Sequence, residues 1–275
     1  MRNKLPLVFL AAASASLLTA QYGRPTITKG VDLKQKLNAP VPLDLVFHDE
    51  TGQTVALRSY FGEKPVILSP VYFKCPSLCP MSLRETVLGL KRLPLQAGLD
   101  YEVVVVSFDP SDTPQAAAEQ KAQYGKMFGR AGYNSGWHFL TGSKDQIEKF
   151  TSAVGFGYKY DPGTKQFIHA AGILVATPDG RLSRYFYGTD YVPGDLRLAL
   201  VDASQHRISS PVDYVLQFCY HWDAAQGKYT LAIVNILKAA GMLTVFLLGG
   251  LIFILMRDDK KVKTKASWKE VHHAG

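Results

Sequence analysis

The sequence contains few cysteines, three among 275 residues, which is too few for a small disulfide-stabilised scaffold. It also lacks a basic patch interleaved with aromatic side chains, the pattern that nucleic-acid binding requires, so no nucleic-acid partner is predicted. No internal repeat is present, which excludes a solenoid or repeat array. These absences leave an ordinary globular domain as the predicted class of protein. In such a domain, two cysteines close together in sequence indicate a functional site.

The formal net charge of +8 at pH 7 is unevenly distributed along the chain. Two positive charges lie close to the N-terminus and a net three lie after residue 256, which leaves +3 for the segment between them. The high charge therefore reflects the two ends of the chain and predicts no strongly basic binding surface on the body.

The N-terminal segment has the pattern of a secretory signal. Arg2 and Lys4 precede an apolar stretch that ends in Leu18-Thr-Ala20, which is typical of a cleavable signal peptide over residues 1–20. This stretch is too short for a comfortable membrane span.

A second apolar run predicts a membrane anchor near the C-terminus. The uncharged residues Ala239 to Met256, extendable to about Leu231, meet the length that a transmembrane helix needs; a buried core helix is the alternative. Basic residues outnumber acidic ones in the tail over 257–275, which places that tail in the cytoplasm by the positive-inside rule. We expect a single-pass protein of the bacterial cytoplasmic membrane, with its globular domain on the extracytoplasmic, periplasmic side.

Between these ends, short apolar strands alternate with amphipathic helices. The predicted elements are a hairpin over 43–57, a strand over 65–73, a helix over 76–92, a strand over 101–108, a helix over 113–128, a strand over 137–141, a helix over 143–154, strands over 157–160, 168–177 and 182–187, and a helix over 194–203. This order predicts one α/β domain whose sheet is partly parallel and is closed by an antiparallel hairpin.

Cys75-Pro-Ser-Leu-Cys79 is the most informative stretch, because it follows a buried strand and opens a helix. If Cys75 caps the helix, Pro76 takes the first helical position and both sulfurs lie on one helical face. The free N–H groups and the helix dipole would then stabilise a thiolate. The pair is predicted to close a redox-active disulfide or to bind a soft metal; two structural cysteines are the alternative.

Among seven histidines, His169 is distinguished by its position just before the apolar strand Ala170 to Thr177. A thioredoxin-type enzyme usually has a cis-proline at this place, yet no proline lies between Pro162 and Pro178. Two thiolates and one imidazole suit copper, as Cu(I) or as Cu(II) with a further ligand. A structural histidine is the alternative.

Cys219 and His221 lie two residues apart, shortly before the predicted membrane span. Two residues supply too few ligands for a complete metal site, so Cys219 is interpreted as an incidental juxtamembrane thiol, and a secondary copper contact through Cys219 and His221 is the alternative.

Four features together resemble the Sco/SenC family over roughly residues 40 to 190. They are Val71-Tyr-Phe-Lys-Cys-Pro-Ser-Leu-Cys-Pro80, Val106-Ser-Phe-Asp-Pro-Ser-Asp-Thr-Pro114, Trp137-His-Phe-Leu-Thr-Gly142, and His169. The resemblance implies a thioredoxin-like fold and copper ligands at Cys75, Cys79 and His169. It also implies a role in assembling the dinuclear copper centre of cytochrome c oxidase subunit II, by copper delivery, by thiol reduction, or by both. Two features depart from the family: Ala170 replaces the usual Ser or Thr, and the anchor is C-terminal.

The resulting hypothesis is a copper metallochaperone whose partners are cytochrome c oxidase subunit II or another copper-protein client, the membrane and a thiol reductant. The alternative is a thiol:disulfide oxidoreductase that uses Cys75 and Cys79 to reduce client cysteines without bound metal. The predicted organisation is a signal peptide over 1–20, a flexible lead-in over 21–39, a thioredoxin-like copper-binding domain over 40–204, a juxtamembrane connection over 205–230, a transmembrane helix over 231–256 and a cytoplasmic tail over 257–275.

Overall fold

The computed structural model describes residues 30–210, 222–223, 228–229 and 238–252. The chain forms two units, Met1–Ser209 and Ser210–Gly275. The elements of the first unit are β1 (Val46–His48), β2 (Thr54–Ala56), β3 (Val66–Val71), α1 (Leu78–Lys91), β4 (Glu102–Ser107), α2 (Pro114–Phe128), α3 (Tyr133–Gly136), β5 (Trp137–Leu140), α4 (Lys144–Val154), β6 (Tyr158–Asp161), β7 (Gln166–His169), β8 (Gly172–Ala176), β9 (Leu182–Tyr187) and α5 (Pro193–Ser204).

Five strands form the central sheet, in the order β5-β4-β3-β8-β9. Strands β3, β4 and β5 are parallel, whereas β8 runs antiparallel to β3 and β9 antiparallel to β8. Every residue of β3, β4 and β8 is buried, because central strands covered on both faces have no side open to water. The predicted α/β class, with a partly parallel sheet and a closing antiparallel hairpin, is confirmed.

The pairing of β3 explains how it accommodates a proline. Strand β8 pairs with β3 only from Val66 to Leu68, so Pro70 lies beyond the part that is paired on both sides. A proline has no N–H to donate and is tolerated in a strand where pairing ends. The last residues of β3 therefore lead out of the sheet and into the segment that contains both cysteines.

Strands β6 and β7 form a separate antiparallel hairpin, in which Tyr158 lies opposite His169. The prediction of one continuous strand over 168–177 is wrong. Strand β7 ends at His169, and the separate strand β8 begins at Gly172. A Cβ atom at Gly172 would lie 2.3 Å from the carbonyl oxygen of Phe186, so only glycine fits where β8 starts beside β9. The break places His169 on the hairpin and outside the central sheet.

The helices pack around this sheet. Helix α1 packs against α2 and α5, α2 packs against β5, and α5 packs against β8 and β9. Helix α2 starts as predicted, since the Thr113 hydroxyl accepts a hydrogen bond from the N–H of Ala116 at 3.3 Å and Pro114 takes the first position. Leu33, within the segment that the sequence assigns to the lead-in, bridges to Phe156 and belongs to the core.

In the second unit, β10 (Trp222–Asp223) pairs antiparallel with β11 (Lys228–Tyr229), and residues 238–252 form helix α6. Among the residues described above, no helix has both the length and the apolar character needed to cross a membrane. The predicted span over 231–256 extends past both ends of α6, and these extensions lie outside the described residues. So do the predicted signal peptide, the tail over 257–275, Cys219 and His221.

Candidate metal centre

The segment after β3 and the first turn of α1 place Cys75 and Cys79, respectively, at the carboxyl end of the parallel strands. The N–H of Cys75 donates to the carbonyl oxygen of Tyr72 at 3.3 Å, and α1 begins only at Leu78, with Ser77 before it. The expectation that Cys75 caps the helix and Pro76 opens it is therefore wrong. Because the helix starts at Leu78, Pro80 lies in its first turn. The N–H groups of the first turn have no acceptor within the helix, so a proline there costs no hydrogen bond.

The start of the helix nevertheless binds the Cys75 sulfur. The N–H of Cys79, in the first turn of α1, donates to Cys75 Sγ at 3.4 Å. The N–H of Tyr72 donates to Cys79 Sγ, also at 3.4 Å. Both cysteines are buried and neither forms a disulfide. The predicted interaction between a helix N-terminus and a thiolate is thus present, although the sulfur comes from a turn that precedes the helix.

His169 reaches the same point from the end of β7. Its Nε2 atom lies 3.7 Å from Cys75 Sγ and 3.4 Å from Cys79 Sγ. Its Nδ1 atom lies 2.7 Å from the carbonyl oxygen of Ala170, and an oxygen acceptor there holds the proton on Nδ1 and leaves Nε2 free as a ligand. The three ligand atoms lie within 4.8 Å of one another, the only such group of His, Cys, Asp or Glu that the described part of the chain forms.

The two thiols differ in acidity. The hydrogen bond with the Cys79 side chain lowers the pKa of Cys75 to about 3; burial opposes this shift, while His169 and the backbone N–H groups of residues 77 and 79 add to it. Burial raises the pKa of Cys79, and the neighbouring Cys75 raises it further. Cys75 is therefore the more acidic of the two sulfurs, and binding a metal through both sulfurs requires both to be deprotonated.

An aromatic wall surrounds the imidazole. The rings of Tyr72, Phe108 and Phe156 lie 5.7, 5.2 and 6.2 Å from the His169 ring, centre to centre. Phe167 joins this wall through contacts with Tyr72 and Phe108. Sequence reasoning missed these residues as parts of the site, although Tyr72 and Phe108 lie within the quoted motifs. The wall fixes the ring orientation of His169 and excludes water from one side of it.

Two sulfurs and one imidazole nitrogen, buried and close together, form a ligand set that suits a soft metal ion. A comparison with known families agrees with this chemistry, because the family model described as SCO1/SenC matches residues 34–196. The chain belongs to the SCO1/SenC family.

Individual relatives are similar over most of this domain. A SCO1 protein homolog of Bacillus subtilis (strain 168) is 29% identical over 170 residues, which cover 60% of this chain and 83% of that protein. A Stutzerimonas stutzeri protein, named as a candidate copper-binding protein, is 28% identical and covers 51% of this chain and 65% of its own length. The crystal structure of a candidate electron transfer protein from Aquifex aeolicus VF5 matches with a TM-score of 0.56 and 26% identity, over 62% of this chain and 96% of that chain. The first unit thus has the thioredoxin-like fold of the SCO1/SenC family.

Asp112 supports the cysteine segment of this SCO1/SenC domain from the turn after β4. Its Oδ2 atom accepts hydrogen bonds from the N–H of Phe73 at 2.8 Å and from the hydroxyl of Ser107 at 2.7 Å. Burial raises the pKa of Asp112, although these two hydrogen bonds act in the opposite direction. The contact of this turn with the segment that carries Cys75 becomes visible only in the structure.

The structure brings together Cys75, Cys79 and His169, the three residues that the sequence proposes as ligands. Such a site can bind a thiophilic ion through three atoms, or, with a client disulfide as the two-electron acceptor, its sulfurs can close a disulfide and so cease to be thiolate ligands. Cys219 and His221 lie outside the described residues, so the secondary contact stays a prediction.

Proposed function

We propose that this SCO1/SenC protein is a copper metallochaperone that holds its cargo through Cys75, Cys79 and His169. The observation that carries the proposal is the approach of His169 Nε2 to both sulfurs, at 3.7 and 3.4 Å, across about ninety residues of sequence. The similarity to a Stutzerimonas stutzeri protein named as a candidate copper-binding protein supports copper as the ion.

The ligand set explains how such a protein could both hold copper and release it. Two thiolates and one imidazole satisfy Cu(I) at three coordination positions, and Cu(II) takes a further ligand. Cys75 is the more acidic sulfur, and a sulfur that still carries a proton loses it as its bond to the metal forms. A client with its own thiolates can then displace these ligands one at a time.

We infer that the client is cytochrome c oxidase subunit II or another copper protein, in keeping with the family resemblance. The sequence supports a location at the bacterial cytoplasmic membrane, through a signal peptide over 1–20 and a C-terminal anchor over 231–256. The basic tail over 257–275 supports an extracytoplasmic site, because positive tails stay in the cytoplasm. This arrangement puts the metal centre in the compartment where the client exposes its copper site.

Copper titration of the reduced protein tests the proposal. We expect one equivalent to bind, and His169→Ala to weaken Cu(I) binding by at least about tenfold, which corresponds to the loss of about 1.4 kcal/mol. His206→Ala is the matched control, since His206 is exposed and pairs with Asp179; it should bind copper as the wild type does. Equal affinities of the His169→Ala and wild-type proteins would exclude the three-ligand site.

The second candidate is a thiol:disulfide oxidoreductase, favoured by the lowered pKa of Cys75 beside the buried Cys79. A thiolate attacks a client disulfide and the neighbouring thiol resolves the mixed disulfide, after which an external thiol reductant regenerates the pair. This activity needs no metal. Reduction of an oxidised subunit II fragment by His169→Ala at the wild-type rate, with loss upon Cys75→Ser, would favour this function over copper delivery.

A further inference from the structure

Apolar side chains are exposed directly beside the two buried cysteines. Cys75 and Cys79 are only 7% and 3% exposed, whereas Leu78 and Met81 are 39% and 51% exposed. We use the name apolar patch for the exposed apolar residues between positions 76 and 81, which are Pro76, Leu78, Pro80 and Met81. The surface next to the candidate ligands therefore consists largely of carbon.

The residues of the patch are unusual for the exposed start of a helix. The first turn of α1 contains no acidic residue, and the side chain of Ser77 before it makes no capping hydrogen bond. Exposed helix starts commonly carry Ser, Thr, Asp or Glu, because these side chains bind the free N–H groups and match the helix dipole. Helix α2 has such a cap at Thr113. Helix stability therefore does not explain the patch, whereas contact with another molecule does.

The patch carries no charge, and the two cations beside it have partners of their own. Lys74 donates to the hydroxyl of Ser111 at 3.3 Å, and Arg84 lies 3.6 Å from the carboxylate of Glu85. A complementary surface is therefore apolar and uncharged. A few partly covered side chains also supply much less than the ~800 Å² per partner that a stable interface buries. The patch thus fits a transient partner and not a permanent dimer.

We propose that the apolar patch is the docking surface for the copper-accepting client, which presents an uncharged apolar rim around its own copper ligands. This inference rests on the proposed copper function. Because the sulfurs of Cys75 and Cys79 are buried, a client displaces them only when its ligands come into contact with the segment that carries them. Covering the patch removes apolar surface from water and stabilises that contact.

The exchange itself leaves the oxidation state of copper unchanged. Each client ligand forms a bond to the ion as a bond from Cys75, Cys79 or His169 breaks. A proton that a client thiol loses on binding copper is balanced by one that a released cysteine gains. Docking therefore needs to supply only proximity, and no oxidant or reductant takes part.

The double variant Leu78→Gln/Met81→Gln tests the patch. Glutamine resembles leucine and methionine in helix propensity, so the change removes apolar surface without adding charge beside the sulfurs. Met81→Gln alone is a second, milder variant, since that side chain is half exposed. The matched control is Leu99→Gln/Leu198→Gln. These leucines are also exposed, but Leu99 precedes β4 at its amino end and Leu198 lies within α5.

The measurement is the rate of Cu(I) transfer from the reduced, copper-loaded full-length proteins to a reduced, copper-free subunit II fragment. We expect the double variant to be about tenfold slower and Met81→Gln about threefold slower, because less apolar area is buried on docking. Copper affinity should equal that of the wild type in both variants and in the control. Raising the salt concentration from about 0.05 to 0.5 M should change the wild-type rate by less than about twofold, because salt screens charges only.

The outcomes separate this inference from the proposed function. If the wild type binds no copper, the proposed function fails, while the rate at which the same variants reduce an oxidised subunit II fragment still decides whether the patch docks a client. If the wild type transfers copper and both patch variants match it, the docking role is overturned and the copper function stands. Equal slowing in the control would also overturn it.

Two further results would contradict the occupant that we propose. A wild-type rate that falls several-fold as salt is raised would show that charge, and not the uncharged patch, directs docking. Dimerisation of the wild type that is lost in the double variant, measured by analytical ultracentrifugation, would show that a second copy of the chain covers the patch.

Discussion

Buried carboxylates lie near both ends of β4, and their surroundings differ. At the amino end, Glu102 accepts hydrogen bonds from Lys64 at 2.6 Å and from His138 at 3.2 Å. Near the carboxyl end, Asp112 has two neutral donors, the N–H of Phe73 and the hydroxyl of Ser107, and its Oδ1 atom has no hydrogen-bond partner among the described residues.

The pKa values of the two carboxylates shift in opposite directions. Burial acts to raise the pKa of Glu102, but hydrogen bonds from His138 and Lys64 outweigh it and lower the value. For Asp112 burial prevails and the pKa is raised. A cationic partner such as Lys64 stabilises a buried charge, whereas neutral donors alone compensate only part of the cost of burying it.

The two carboxylates thus mark two ends of the sheet. We call the end with Glu102 the structural end, and the end with Cys75, Cys79 and Asp112 the thiol end. At the Glu102 end, the buried carboxylate contacts the ammonium group of Lys64 and the imidazole of His138. At the thiol end, two sulfurs and the Nε2 atom of His169 retain bonding capacity and are held in place by aromatic packing and by backbone donors. A metal site needs such free capacity at its ligand atoms.

The largest stability effect is expected at the structural end. Glu102→Ala removes the acceptor of Lys64 and His138, and we expect the free energy of unfolding to fall by about 2–4 kcal/mol, since breaking a largely buried pair leaves its partners uncompensated. Copper affinity should stay unchanged. Chemical denaturation and copper titration measure the two quantities. Glu148→Ala is the control: this glutamate is exposed and pairs weakly with Lys144, so its loss should cost no more than about 0.5 kcal/mol.

A smaller stability effect, now coupled to copper, is expected at the thiol end. Asp112→Ala leaves the N–H of Phe73 and the hydroxyl of Ser107 without their acceptor, and we expect a loss of about 1–3 kcal/mol. Copper affinity should fall by about tenfold, because the segment before Cys75 loosens. Asp145→Ala, an exposed aspartate paired with Lys149, should change neither quantity. Unchanged copper affinity in Asp112→Ala would contradict the prediction that a loss of stability at the thiol end also weakens copper binding.

The smallest effect is a difference in pH dependence. The folded pKa of Glu102 lies below its ordinary value of 4.5, so its stabilisation is complete above that pH and is lost as pH falls through the folded pKa. The folded pKa of Asp112 lies above its ordinary value of 3.8, so its protonation favours the folded state as pH falls.

Denaturation of the wild type and both variants between about pH 6 and 3 measures this contrast. The stability difference between the wild type and Glu102→Ala should shrink with acid, and the difference for Asp112→Ala should grow. Parallel curves for the two variants would contradict the opposite pKa shifts.

The sequence alone determined those features that depend on short-range patterns. Apolar runs predicted β3 and β4, Thr113-Pro114 predicted the start of α2, and Cys75-Pro-Ser-Leu-Cys79 after a strand predicted a thiol site. Each of these is a local signal, because strand burial, helix capping and cysteine spacing act over a few residues. His169 was also singled out, but by its place in the chain and by family resemblance.

Only the tertiary structure decided how these parts meet. It moved the helix start from Pro76 to Leu78, and it divided the predicted strand over 168–177 so that His169 lies on a separate hairpin. It also brought Tyr72 and Asp112 against the cysteine segment. No periodicity in a sequence encodes which side chain will lie 3.4 Å from a sulfur ninety residues away, because that distance is set by the packing of β6, β7 and the aromatic wall against the sheet.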